Sequence, residues 1–263
     1  MRDLTTPSIA VVIAARDAEN FIAETLESLV LQSSPPSEVI VYDDGSRDAT
    51  MEVAKGYRGR LPGLQVLRGE QSLGISAARN RANAVSSSDY LAVLDADDIF
   101  PRHTIHRYEN FLAEHPETDL LYADTVVCDE ELIRGRERRY PEFATPRDAI
   151  RRTLGSPLVP FKHSSMVFRR KALEALGGYD EGLRLKVDFE LFLRFLADGR
   201  NVAKYNAVAS LHRKHQRQVS VDRIGGLGIY QRLIKSYEPN LLVRGFLYST
   251  RFSSEILKLL LKG

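Results

Sequence analysis

The sequence predicts an α/β fold with a mainly parallel central sheet flanked by helices and a helical extension at the C-terminus. Three observations lead there. Over roughly the first hundred residues, four short β-rich runs alternate with segments of helical periodicity, and a repeated βα order produces a parallel sheet with helices on both faces. Two of those runs end in aspartate clusters, at the strand ends where open parallel sheets bind ligands. The chain has 263 residues, 43% hydrophobic and 27% charged. That composition excludes collagen, coiled coil and wholesale disorder, and the length supports a sizeable core without disulfides or a structural metal.

Ile9–Ala15 is an apolar run of strand length, far short of the ~18 residues that span a bilayer. Over residues 17–32, Phe21, Ile22, Leu26, Leu29 and Val30 recur at helical spacing, which predicts a helix with one buried face. Residues 38–42 form the second strand. Ser46 and Asp48 are candidate N-caps for a helix over residues 49–58. Leu64–Arg68 is the third strand, Ile75, Ala78, Ala82 and Val85 mark the next helix, and residues 90–94 form the fourth strand. Beyond Pro101 the pattern loosens. It gives a helix over residues 104–115, a strand over 119–128, a charged loop with a short helix over 130–152 and a strand over 164–168. A strong helix follows over Val187–Ala197, closed by Gly199, and a strand over residues 202–211. No internal repeat or low-complexity linker divides the chain, so the second half is expected to extend the first.

One cysteine, Cys128, excludes a disulfide framework and any all-cysteine zinc site. Lys+Arg 37 against Asp+Glu 35 gives a net charge of +2, which calls for no nucleic-acid partner. With no export signal and no disulfides, the expected location is cytoplasmic. The tail, residues 223–263, carries Arg223, Arg232, Lys235, Arg244, Arg251, Lys258 and Lys262 against Glu238 and Glu255, with apolar Ile256, Leu259, Leu260 and Leu261. It reads either as a terminal helix packed on the domain or as a basic amphipathic helix lying on an anionic membrane.

The residues just after the strands are Ala14-Ala15-Arg16, Asp43-Asp44-Gly45-Ser46 and Asp95-Ala96-Asp97-Asp98. Separately, each acidic group reads as a turn or helix cap. Gathered at one sheet edge, carboxylates repel unless a cation joins them, and oxygen ligands suit Mg²⁺ or Mn²⁺. No G-x-G-x-x-G follows the first strand, and there is no P-loop or G-x-S-x-G elbow. A nicotinamide dehydrogenase, a P-loop NTPase and a serine hydrolase are therefore disfavoured. Any phosphate would rely on a metal and on arginines, of which Arg79 is well placed.

Several segments then stand in a telling order: Val11-Val12-Ile13-Ala14-Ala15-Arg16-Asp17; Val39-Ile40-Val41-Tyr42-Asp43-Asp44-Gly45-Ser46; Gly74-Ile75-Ser76-Ala77-Ala78-Arg79-Asn80; and Leu94-Asp95-Ala96-Asp97-Asp98. Phe168-Arg169-Arg170, Gly177-Gly178-Tyr179-Asp180, Val187-Asp188-Phe189-Glu190-Leu191 and a stretch from Arg213 through His215 to Ser220 follow. In this order and spacing the chain resembles the family 2 glycosyltransferases, of GT-A (Rossmann-like) fold, over residues 8–220. The resemblance implies an inverting hexosyltransferase with a D-x-D site, a divalent cation (Mn²⁺ or Mg²⁺) as cofactor and a UDP- or dTDP-sugar as donor. The acceptor would be a hydroxyl of a saccharide or lipid-linked molecule in polysaccharide assembly.

The resemblance also assigns roles. Asp44 would accept from N3–H of the base, a charge-assisted bond, with the Ala14 backbone and the Arg16 side chain bordering it. Asp97 would ligate the metal and Asp95 would face the ribose or sugar, with Asp98 sharing either role. Arg79 and His215 would meet the diphosphate, His215 also as a metal ligand. Asp188 would be the catalytic base, preceded by Val187 where the family usually has Glu. The implied division is a domain over residues 1–222, with a nucleotide-sugar half (1–100) and an acceptor half (101–222), plus the basic tail 223–263, which would touch the inner face of the membrane. His163, Ser164 and Ser165 are left unassigned, and the run Arg134, Arg136, Arg138, Arg139 reads either as a solvated loop or as a contact for an anionic or lipid-phosphate acceptor. The alternatives are a sugar-1-phosphate nucleotidyltransferase, which the lack of glycine in residues 9–17 disfavours, and a non-catalytic nucleotide-sugar-binding or membrane-associated assembly protein.

Overall fold

The computed structural model describes residues 6–133, 135–156, 159–215 and 224–260. Arg134, the segment from Gln216 to Arg223 and Lys262 lie outside the described residues.

The strands are β1 (Ile9–Ala15), β2 (Glu38–Asp43), β3 (Leu64–Arg68), β4 (Tyr90–Val93), β5 (Leu120–Cys128), β6 (Gly135–Arg138), β7 (Val167–Arg169) and β8 (Val202–Arg213). They form an eight-stranded sheet in the order β3-β2-β1-β4-β7-β5-β6, with β8 paired to β5. β1, β2, β3 and β4 are mutually parallel, as are β5 and β8. β7 runs antiparallel between β4 and β5 and joins the two halves. The helices are α1 (Ile22–Val30), α2 (Thr50–Gly56), α3 (Ile75–Ala84), α4 (Thr104–Glu114), α5 (Pro146–Gly155), α6 (Arg170–Ala175), α7 (Val187–Ala197), α8 (Ile224–Tyr237) and α9 (Leu241–Leu260).

β1 is apolar without a break because both its faces are covered. Successive side chains point to opposite faces. Ala10 and Val12 pack with α3, α5 and α7, while Ile9, Val11 and Ile13 pack with α1, α2 and α4. The central strands thus lie between two cores, and their C-terminal ends emerge along one edge.

Local details differ from the sequence reading. α1 starts at Ile22, because residues 17–21 form a turn in which Phe21 N–H bonds the Ala18 carbonyl. Ser46 does not cap α2; its hydroxyl accepts from Asp17 N–H. Asp48 is not the N-cap either: that position is Ala49, and Asp48 Oδ1 accepts from Thr50 N–H at 3.0 Å in a turn just before the helix. β6 falls where the sequence predicts a charged loop, since Gly-Arg-Glu-Arg lacks the apolar alternation of a strand and lies exposed at the sheet edge. The expected strand at 164–168 becomes a 3₁₀ turn (His163–Ser165) followed by the three-residue β7, and α6 was not anticipated.

The two helices of the tail pack on the domain. Tyr230, Leu233, Ile234 and Leu247 belong to the core that holds α7. Arg251 is buried and donates to the Leu154 and Thr153 carbonyls at the end of α5, at 3.2 and 2.9 Å. Its guanidinium stacks 3.9 Å from the Tyr230 ring centroid. Leu247→Ala should therefore cost about 2–4 kcal/mol of global stability in urea denaturation; a loss near zero would mean that α9 is not part of the cooperative unit.

Candidate active site

The site lies at the C-terminal ends of β1, β2 and β4. Asp43 ends β2, and its Oδ1 accepts from Ser46 N–H at 3.0 Å, closing a turn around Gly45. Gly45 has φ +72°, and a Cβ there would meet Ser72 N at 3.0 Å. Only glycine allows this conformation and approach without strain.

Asp44 is buried. It accepts from the Ser72 hydroxyl at 2.7 Å, Leu73 N–H at 2.8 Å and Gly74 N–H at 3.0 Å. Its carboxylate thereby fixes the loop that leads into α3. Arg16 Nη1 donates to the Ser72 oxygen at 2.7 Å. Ser72, which the sequence did not single out, thus connects two residues expected at the base. Ala14 is half-buried near the end of β1, paired with Tyr42.

The second group follows β4. Asp95 receives Arg79 Nη2 at 2.8 Å and faces Lys162 Nζ at 3.4 Å, with His163 Nδ1 4.0 Å away. Burial alone would raise the Asp95 carboxyl, but Lys162, His163 and Arg79 hold it well below the usual carboxylate range. Arg79 lies 5.6 Å over the Tyr179 ring, and the Tyr179 hydroxyl is 2.9 Å from His163 Nε2. Burial, then the Arg79 charge, pushes His163 down.

Asp98 has no solvent exposure. Its oxygens accept from the Ser164 hydroxyl, from His212 Nδ1 at 3.0 Å and from Arg213 N–H at 3.1 Å, with Lys162 Nζ 3.7 Å away. Asp97 meets His215 Nε2 at 2.8 Å, and the His215 ring lies 4.4 Å from that of Phe21. Burial and then the like charges of Asp98 and Asp95 push Asp97 up.

Asp188 sits in the first turn of α7, half-buried. It is not the N-cap; that position is Lys186, in the left-handed region at φ 59°. Its carboxylate accepts no hydrogen bond from the described residues, while its charge acts on Lys162, His163 and Tyr179. Val187 packs into the core, so an apolar residue suits the place where the family usually has Glu.

The structure therefore gathers Arg79, Asp95, Asp97 and His215 into one network. Ala14, Arg16 and Asp44 form a second group on the neighbouring strand ends. Lys162, Ser164, Tyr179 and His212 belong to the site and were not assigned from sequence. The signal for Lys162 and Ser164 is the polar run Lys162-His163-Ser164-Ser165 just before a short apolar strand, and Tyr179 lies in the quoted segment Gly177-Gly178-Tyr179-Asp180.

Together, fold and site define an α/β protein with a crowded carboxylate edge at the C-terminal ends of its parallel strands. The chain matches the model of the family described as "Glycosyl transferase family 2" over residues 10–177, and it belongs to that family. It is 29% identical over 197 residues to the EpsE protein of Bacillus subtilis (strain 168), covering 73% of this chain and 68% of that one. It is 32% identical over 214 residues to the succinoglycan biosynthesis protein ExoU of Rhizobium meliloti (strain 1021), covering 77% of this chain and 60% of that one. The chain thus spans less than two thirds of the length of ExoU. Among solved structures, S. aureus TarS 1-349 in complex with UDP-GlcNAc superposes with a TM-score of 0.72 at 19% identity, over 95% of this chain and 73% of that one. The fold is GT-A.

The side chains fit a divalent cation. One ligand atom each from Asp95, Asp97 and Asp98 falls within 4.8 Å of the others. Asp95 and Asp98 face Lys162 and other donors, and Asp97 meets His215, while burial and the charges of Asp98 and Asp95 push Asp97 up. Among the described residues these three carboxylates are the group placed to hold an ion together.

Asp97 and Asp98 should separate in stability measurements. Asp98→Asn leaves buried donors mispaired and should cost about 3–5 kcal/mol. Asp97→Asn removes like-charge repulsion and should cost less than about 1 kcal/mol or raise stability. Urea denaturation of both variants checks this, and equal losses would contradict the division.

Proposed function

We propose that this protein is an inverting glycosyltransferase that moves a sugar from a UDP- or dTDP-linked donor to a hydroxyl of a saccharide or lipid-linked acceptor in polysaccharide assembly. The observation that carries the reading is the pairing of the Arg79–Asp95–Asp97–His215 network with Asp188, whose carboxylate accepts no hydrogen bond from the described residues. Family membership and the similarity to ExoU support it, as does the likeness in fold to a UDP-GlcNAc-bound structure.

In this reading residues 1–100 hold the donor and residues 101–222 the acceptor. An ionised carboxylate has about four acceptor positions; the 72–74 loop uses three on Asp44, which leaves one for an imide N–H of the base. Ala14 and Arg16 border that base. Arg79, held by Asp95, and His215 face the diphosphate, where negative charge grows as the bond to the sugar breaks. A divalent ion held by Asp97 and His215 would supply Lewis-acid stabilisation of the same charge. The acceptor oxygen attacks the anomeric carbon, the bond from that carbon to the diphosphate oxygen breaks, and Asp188 takes the hydroxyl proton.

Calorimetric titration with UDP, dTDP, GDP and CDP, each with Mn²⁺ and then with EDTA, tests the donor site. One uracil or thymine nucleotide should bind in a metal-dependent way, and binding of none would refute the reading. Asp188→Asn should keep that affinity and lower transfer by about 10²–10⁴-fold. Near wild-type transfer would remove Asp188 as base, and binding without any transfer by the wild type would favour the non-catalytic alternative.

Among the described residues no helix is long and apolar enough to cross a membrane. The outer face of α9 nevertheless exposes Leu241, Leu242, Phe246, Phe252 and Ile256. At about 3.6 residues per turn these fall on one side, opposite the buried Leu247 and Arg251. The neighbouring outer face of α8 presents Arg232 and Lys235. An apolar stripe beside cations suits an anionic bilayer, which would place the enzyme at the cytoplasmic face of the membrane, near lipid-linked acceptors. The protein should sediment with vesicles containing anionic phospholipid and not with purely zwitterionic ones. Leu242→Ser combined with Phe246→Ser should abolish sedimentation without changing nucleotide affinity.

A further inference from the structure

Lys162 lies inside the carboxylate cluster, yet neither base recognition, nor the diphosphate contacts, nor proton removal uses it. Its ammonium is 3.4 Å from Asp95 Oδ2 and 3.7 Å from Asp98 Oδ2. Burial opposes its charge, but Asp98, Asp95, Asp97 and Asp188 outweigh that and hold it protonated. The backbone fixes it there. The next residues, His163–Ser165, form the 3₁₀ turn, and Ser164 donates to the same Asp98 oxygen that Lys162 faces.

The charges near the cluster can be counted. Asp95, Asp97 and Asp98 contribute three negative charges, and Arg79 and Lys162 contribute two permanent positive ones. Lys162 and Arg79 thus offset part of the acidic charge before any ion arrives. A divalent cation entering alone would face Lys162 and Arg79 in a partly dehydrated pocket, where like charges repel strongly. A nucleoside diphosphate brings the anionic charge that would offset this.

We propose that Lys162 is a built-in counter-ion that keeps the site from loading a divalent cation until the nucleoside diphosphate binds with it. The inference rests on the reading of Asp97 and His215 as the pair that holds the ion. It assigns Lys162 a positioning role in the order of assembly rather than a contact with the reacting atoms.

Calorimetric titration of Mn²⁺ into the nucleotide-free full chain tests this without any turnover. The wild type should show no saturable Mn²⁺ binding up to millimolar concentration, and UDP should bind once Mn²⁺ is present. Lys162→Met should bind Mn²⁺ alone at least tenfold more tightly than the wild type. Lys162→Arg, which keeps the charge, should behave as the wild type. Tight Mn²⁺ binding by the nucleotide-free wild type would overturn the inference, as would a Met variant that binds no more tightly or an Arg variant that binds Mn²⁺ alone. If circular dichroism shows that the Met variant does not fold, the wild-type and Arg titrations still decide. Failure of both UDP and dTDP to bind the wild type under any condition would instead refute the donor site itself.

Discussion

The carboxylate of Asp98 is fully buried, and elements distant in sequence converge on it. Ser164 comes from the turn before β7, while His212 and Arg213 end β8. A buried carboxylate without such partners would be costly, so each of these segments is constrained by the need to satisfy it. The consequences spread outward. Fixing the end of β8 delivers His215 to Asp97, and Arg213 Nε reaches the Asp97 carbonyl oxygen at 3.0 Å. Fixing the turn delivers Lys162 and His163 to Asp95. The geometry at the putting-in-place of Asp95 and Asp97 therefore depends on a third aspartate that solvent does not reach.

This arrangement separates the three acids by environment. Asp95 is stabilised as an anion by cations on two sides, Asp98 is saturated by donors, and Asp97 is raised by its neighbours. Identical side chains thus acquire different chemistry through what the fold places beside them. The unequal share of compensation leaves Asp97 as the group that gains most from added positive charge. Retaining such a group lowers stability locally, a pattern expected where activity rather than packing sets the residue.

The parallel half of the sheet was legible because its physics is local. β1, β2 and β4 are buried on both faces and so read as unbroken apolar runs, and the aspartates after them fall at the ligand edge by topology alone. The second half was less legible. β6 is a charged edge strand, and β7 has three residues whose antiparallel place between β4 and β5 depends on long-range pairing. Lys162 and Ser164 gain meaning only when the turn before β7 comes to rest on the end of β4, more than sixty residues earlier in the chain. No periodicity announces such a contact. Ser46 shows the reverse error: a good cap by residue type was taken by a different donor, Asp17 N–H.

The helices beyond residue 223 also bear on the chemistry. Phe189, one residue after Asp188, packs edge-on against Tyr230 of α8 with centroids 5.2 Å apart. Lys186, just before α7, lies 5.4 Å over the same ring, and Arg251 of α9 stacks on its face. The first turn of α7, which carries Asp188, is therefore seated on the two tail helices. Aromatic contacts of this kind hold orientation as well as area. The packing of the tail and the placement of Asp188, the carboxylate that the proposed reaction requires, therefore share the same contacts around Tyr230.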